Sequence, residues 1–232
     1  MTISNESRGR IKQIFEPIAL AMGRIGLTPN GLTLIGFAIT TIGAVLVGAQ
    51  AWVIGGLVVF VGGVFDMFDG TLARATGQSS KFGAFMDSTF DKAGEILVFL
   101  GCIYALANSN VGSVPVLVAA AAMGAAIMVS YTRAKSEGLG FSAGTGMAAI
   151  GVMPREVRLV ILSLGLIVTG ALAPPILQPP AGETCIESCI QTGGFVLLGA
   201  LAIIAAGSII TVIQRILHVR SQADSATTST NR

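Results

Sequence analysis

Charge is what this sequence has least of: 14 Lys and Arg and 12 Asp and Glu in 232 residues make 11%, against about 25% in an average soluble domain. With 53% hydrophobic residues, the charged groups cannot cover a water-facing surface, and the surface must face mostly lipid. The net charge of +2, with Lys and Arg spread among loops, excludes a nucleic-acid-binding tail or groove. Histidine is confined to His218, which removes the Glu-x-x-His pairs that a di-iron bundle needs and reads as a solvated tail residue. Three cysteines make no disulfide framework and no zinc spacing. Cys102 reads as a small apolar residue. Cys185 and Cys189 lie in a Pro-rich loop, where they either pair, if that loop meets an oxidising compartment, or remain thiols. The N-terminus lacks the apolar core and cleavage site of a signal peptide and is expected to be retained.

What is there is long uncharged runs. Nothing charged lies between Ile25 and Phe65, enough for two spans of about 20 residues, with a reversal at Gly48-Ala49-Gln50. Further helices are expected over about 82–107, 114–136, 155–172 and 193–216, giving an all-α integral membrane protein with six transmembrane helices. Before them, Ile11, Ile14, Phe15, Ile18, Met22 and Ile25 share one face of a helix over 7–24, the pattern of an N-terminal interfacial amphipathic helix. The chain divides into this segment (1–24), a six-helix domain (25–217) and a polar tail (218–232). With the N-terminus cytoplasmic, every Lys and Arg falls on or toward the cytoplasmic side, as the positive-inside rule requires. Glycines within the spans, such as Gly55, Gly56, Gly62 and Gly63, suit close helix packing in lipid.

Into this apolar frame the sequence sets four acids. Asp66 and Asp69 are three apart, Asp87 and Asp91 four apart, so each pair shares a helical face. In an antiparallel hairpin reversing near Gly77-Gln78, Asp66 meets Asp91 in depth and Asp69 meets Asp87. Four unpaired carboxylates cannot be buried together, since each costs several kcal/mol. An all-oxygen donor set calls for Mg²⁺, Mn²⁺ or Ca²⁺, and two divalent ions balance the four charges.

The run Asp66-x-x-Asp69-Gly70-x-x-Ala73-Arg74, then eight residues, then Gly83-x-x-x-Asp87-x-x-x-Asp91, resembles the signature of the CDP-alcohol phosphotransferase family at all its fixed positions. The resemblance implies a six-helix homodimeric enzyme of the cytoplasmic membrane that cleaves a CDP-alcohol pyrophosphate and releases CMP. It implies Asp66, Asp69, Asp87 and Asp91 as ligands of Mg²⁺ or Mn²⁺, with Asp91 also the general base. Glu95, one turn deeper, is outside the signature and reads as a supporting carboxylate. Gly70 and Gly83 admit the nucleotide close to the backbone, Arg74 offers a forked cation to phosphate, and Ser80 with Pro29-Asn30-Gly31-Leu32 resembles the nucleotide-side segments of the lipid-phosphotransferase branch.

For the acceptor, Arg133, Lys135, Arg155 and Arg158 gather at the cytoplasmic ends of the fourth and fifth helices and suit a phosphorylated polyol. The stretches Ser130-Tyr131-Thr132-Arg133-Ala134-Lys135-Ser136-Glu137 and Pro154-Arg155-x-x-Arg158 resemble the prokaryotic branch that transfers a phosphatidyl group from CDP-diacylglycerol to inositol phosphate. Glycerol 3-phosphate is the rival acceptor, and a diacyl or archaeal ether donor stays open. From another class, the acids also suit a cation or proton pathway, against which stand their clustering near one face and the lack of broken helices or an inverted repeat.

Overall fold

The computed structural model describes residues 16–109, 112–141, 150–172 and a last helix from 186, with side chains in that helix from 194 to 224. Among those residues every regular element is helical. A short α1 covers residues 16–24. Six long helices follow: α2 (Pro29–Gly48), α3 (Trp52–Ala75), α4 (Lys81–Ala107), α5 (Ser113–Gly138), α6 (Arg155–Leu172) and α7 (Ile186–Thr230). Residues 7–15 of the helix expected over 7–24, the Gly-rich stretch 142–149 and the Cys185 and Cys189 pair lie outside the described side chains.

Local chemistry sets the boundaries. Thr28 caps α2 by accepting from Gly31 N at 3.1 Å, with Pro29 at the first helical position, where its missing N–H is no loss. The expected reversal after Gly48 occurs through Gln50, at φ 62°, before α3 begins at Trp52. Between α3 and α4 the chain turns at Gly77, φ 69°, a left-handed conformation that favours glycine. Ser80 then caps α4 through Gly83 N at 2.9 Å. The final helix runs past the expected end near Ile216 to Thr230 and carries His218 on it, beside Gln222.

Among the described residues, four helical segments are long and apolar enough to cross a membrane: Pro29–Gly48, Trp52–Ala75, Ser113–Gly138 and Gly194–Asp224. The charges of α4 (Asp87, Asp91, Lys92, Glu95) and of the start of α6 (Arg155, Glu156, Arg158) shorten their apolar stretches below that length. Large apolar side chains such as Ile42, Val45, Ile54, Leu57 and Leu117 point outward and are more than two-fifths exposed, as expected where the outer solvent is lipid.

The six long helices close into a ring, in spatial order α2, α3, α6, α7, α5, α4 and back to α2. Its interior is filled by side chains from all of them, among them Val47, Val59, Phe99, Ala122, Leu166 and Leu201. α3 and α4, consecutive in sequence, scarcely touch, because α2 packs against both. Glycines make that possible: a Cβ at Gly43 would lie 2.9 Å from Val59 N, and one at Gly101 would meet the Ala44 carbonyl. The acid-bearing ends of α3 and α4 therefore face each other across a cleft. A second small core, Ala19, Leu32, Phe68 and Leu72, ties α1 to that end of the ring.

Candidate active site

The cleft inherits its acids in the depth order that the spacing predicts. Asp66 and Asp91 share one cation: Arg155, the first residue of α6, donates Nη2 to Asp66 Oδ2 at 2.6 Å and Nη1 to Asp91 Oδ2 at 2.7 Å. One turn nearer the loop, the Asp69 and Asp87 carboxyl groups come within hydrogen-bond contact of each other. Asp69 is 4% exposed and well held, Oδ2 accepting from Thr33 Oγ1 at 2.5 Å and Oδ1 from Gly70 N. Close approach of α2 is part of the arrangement, since a Cβ at Gly36 would sit 2.5 Å from Asp66 Oδ1.

These residues fit a hard divalent cation. Two carboxylates in mutual contact need a cation or a proton between them, and the other two already grip a guanidinium. All available donors are oxygen. The acids nonetheless form two pairs and not one closed group: among the described residues no three of them stand as a ready metal cluster.

A cavity of about 190 Å³ opens beside Asp69 and Asp87, lined also by Pro29, Asn30, Thr33, Gly70, Arg74 and the 78–80 turn, with Gly83 and Ala84 across from them. Six of the expected nucleotide-side residues, Pro29, Asn30, Gly70, Arg74, Ser80 and Gly83, are thus brought to one pocket. Gly31 and Leu32 are not. Gly31 spends its N–H on the Thr28 cap, and Leu32 is fully buried against Phe68 and Leu72. Each glycine at the rim keeps a specific space open: a Cβ at Gly83 would press on Asn30 Oδ1 at 3.2 Å, and one at Gly70 on the Arg74 guanidinium at 3.3 Å.

The four basic residues expected to hold an acceptor phosphate differ in what they are bonded to. Arg158 is 2% exposed and fully engaged, with Nε and Nη2 on Glu95 at 2.7 and 3.0 Å and Nη1 on the Met153 carbonyl at 2.9 Å. Its N–H groups brace α4 against α6. Glu95 also takes Lys92 Nζ at 2.7 Å. Arg133 pairs with Glu137 on the surface at 2.9 Å, and Lys135 is exposed. Only Arg155 of the four meets the acids.

Sequence reading missed several supports. Thr33 and Thr40 are buried polar residues seven apart on α2, one face of an otherwise apolar helix, and that spacing is the signal that marks them. Arg215, 3% exposed, donates to the Ile150 carbonyl at 3.0 Å and to the Val129 carbonyl, and Thr211 Oγ1 accepts from Met153 N at 2.9 Å. Together they fix the segment leading into α6, and a cation within an apolar run is the kind of residue that signals such a role. Removing the hydroxyl in Thr33→Val is expected to cost about 1.5–3 kcal/mol of stability through Asp69, with Thr33→Ser near wild type, read by thermal unfolding in detergent.

Residues 26–213 match the family model described as CDP-alcohol phosphatidyltransferase. The chain is 37% identical over 156 residues to an archaetidylinositol phosphate synthase of Pyrococcus horikoshii, covering 67% of this chain and 77% of that one. It is 31% identical over 234 residues to a phosphatidylinositol phosphate synthase of Streptomyces avermitilis, covering 99% and 88%. Among solved structures, the phosphatidylinositol phosphate synthase of Mycobacterium tuberculosis with CDP-DAG bound superposes with a TM-score of 0.71 at 29% identity, over 89% of this chain and 94% of that one. The same enzyme with manganese and citrate also gives 0.71, at 29% identity over 88% of each chain.

Proposed function

This chain belongs to the CDP-alcohol phosphatidyltransferase family, and from that premise we propose that it transfers a phosphatidyl group from CDP-diacylglycerol to a hydroxyl of inositol phosphate, yielding phosphatidylinositol phosphate and CMP. The observation that carries the reading is the order of groups along the cleft. The cavity reaches Asp69 and Asp87, while Asp66 and Asp91 lie on the side held by Arg155. A donor nucleotide and a phosphorylated acceptor approaching from these two sides meet at the four carboxylates. The relatives' names, archaetidylinositol phosphate and phosphatidylinositol phosphate synthase, support the acceptor class.

In this mechanism the cytidine diphosphate enters the cavity past Gly70 and Gly83, with Arg74 on its phosphates. Asp66, Asp69, Asp87 and Asp91 would hold the divalent cations, Mg²⁺ or Mn²⁺, two of which would balance the four charges. When bound, such ions neutralise the charge that develops on departing CMP. Asp91 accepts the proton of the attacking hydroxyl, whose oxygen forms a bond to the lipid-side phosphorus as the pyrophosphate P–O bond breaks. With Arg158 and Arg133 engaged elsewhere, Arg155 and Lys135 remain for the acceptor phosphate. The protein works from the cytoplasmic membrane with this cleft on the cytoplasmic side, spans six times, and acts as a homodimer. The distribution of Lys and Arg supports that orientation, and the charged α4 and α6 complete the six spans from within the ring.

The test is CMP release by the purified protein in detergent with Mg²⁺ and CDP-diacylglycerol. Inositol phosphate should stimulate it and free inositol should not. Stimulation by glycerol 3-phosphate alone would move the acceptor assignment, and CMP release with no acceptor would overturn the transferase reading.

A further inference from the structure

Arg155 differs from the neighbouring buried arginines Arg158 and Arg215 by what it is bonded to. Arg158 and Arg215 are 2% and 3% exposed, and each donates to backbone carbonyls as well as to whatever acid it meets. Arg155 side-chain atoms are 28% exposed, and its two bonds go to Asp66 and Asp91, the carboxylates to which the signature assigns metal. Its backbone, by contrast, is anchored. Met153 N is held by Thr211 and the Met153 carbonyl by Arg158, which anchors the segment entering α6 just before Arg155.

We propose that Arg155 and a divalent cation compete for Asp66 and Asp91, so that cation binding releases the guanidinium to receive the phosphate of the acceptor. This rests on the metal-site reading above and adds a coupling to it. The physics is direct. A divalent ion ligated by Asp66 and Asp91 would sit within a few ångströms of a guanidinium bonded to the same two carboxylates, and repulsion between the two is strong in a partly buried site. A guanidinium displaced from carboxylates then needs another anion, and a phosphate oxygen pair matches its fork. Metal and acceptor phosphate thus favour each other, each raising the affinity for the other by the same factor.

Direct Mn²⁺ binding tests this without turnover, by titrating the free-Mn²⁺ electron paramagnetic resonance signal against purified full-length protein in detergent. Arg155→Gln is expected to bind Mn²⁺ at least about fivefold more tightly than wild type. Sulfate, a tetrahedral dianion, is expected to tighten Mn²⁺ binding to wild type and to leave Arg155→Gln unchanged. Arg155→Lys keeps the charge but cannot bridge both carboxylates, and should fall between the two; it carries the test if the Gln variant does not fold. Equal or weaker Mn²⁺ binding in a folded Arg155 variant would overturn the competition. Absence of Mn²⁺ binding in wild type would overturn the metal-site reading itself, so the two failures are distinguishable.

Discussion

Asp91→Asn is expected to lower CMP release by about 10²- to 10⁴-fold, the usual range for loss of a general base, while CDP-diacylglycerol binding stays measurable. The side chain is isosteric, so packing is kept. What is lost is a charge that holds Arg155 at 2.7 Å and, in the proposed mechanism, receives the hydroxyl proton. The cavity is lined by Asp69 and Asp87 and not by Asp91, which is why donor binding should survive. Binding is measured by displacement of a labelled cytidine nucleotide and turnover by CMP release. Loss of both together would make Asp91 a folding residue instead.

The second large effect falls on stability. Arg158→Ala is expected to destabilise the protein by about 3–5 kcal/mol, because it leaves Glu95 buried at 13% side-chain exposure with only Lys92 for a partner. Spacing alone puts Arg158 beside Arg155 as a ligand of the acceptor phosphate. The structure predicts a lowered Tm in detergent, with Glu95→Ala lowering it similarly and the double variant costing less than the sum of the two. Normal Tm with a raised KM would return Arg158 to the acceptor pocket.

The contrast between Arg155 and Arg158 shows where sequence reading reaches its limit. Three residues apart at the start of one helix, they share a face, and nothing local separates them. One meets Asp66 and Asp91 and the other Glu95, because α3 and α4 present different turns to α6. Gly31 and Leu32 repeat the lesson on a smaller scale. They belong to a segment correctly directed at the cavity, yet helix geometry turns Leu32 into the core beside Phe68. Thr33, next in line, is the residue that reaches Asp69.

By itself the sequence determined that this is a helical membrane protein, where its chain reverses, and which acids share a depth. Those properties follow from composition, from the 3.6-residue period and from turn residues such as Gly77, all of which act over a few residues. Tertiary structure alone decided that α2 stands between α3 and α4, that the acids divide into two pairs, and that Arg155 bridges one of them while Arg158 is a brace. Those outcomes depend on which helices approach closely. That is settled by glycine contacts such as Gly43 with Val59 and Gly101 with Ala44, and by side chains more than 60 residues apart that find each other only once the ring has closed.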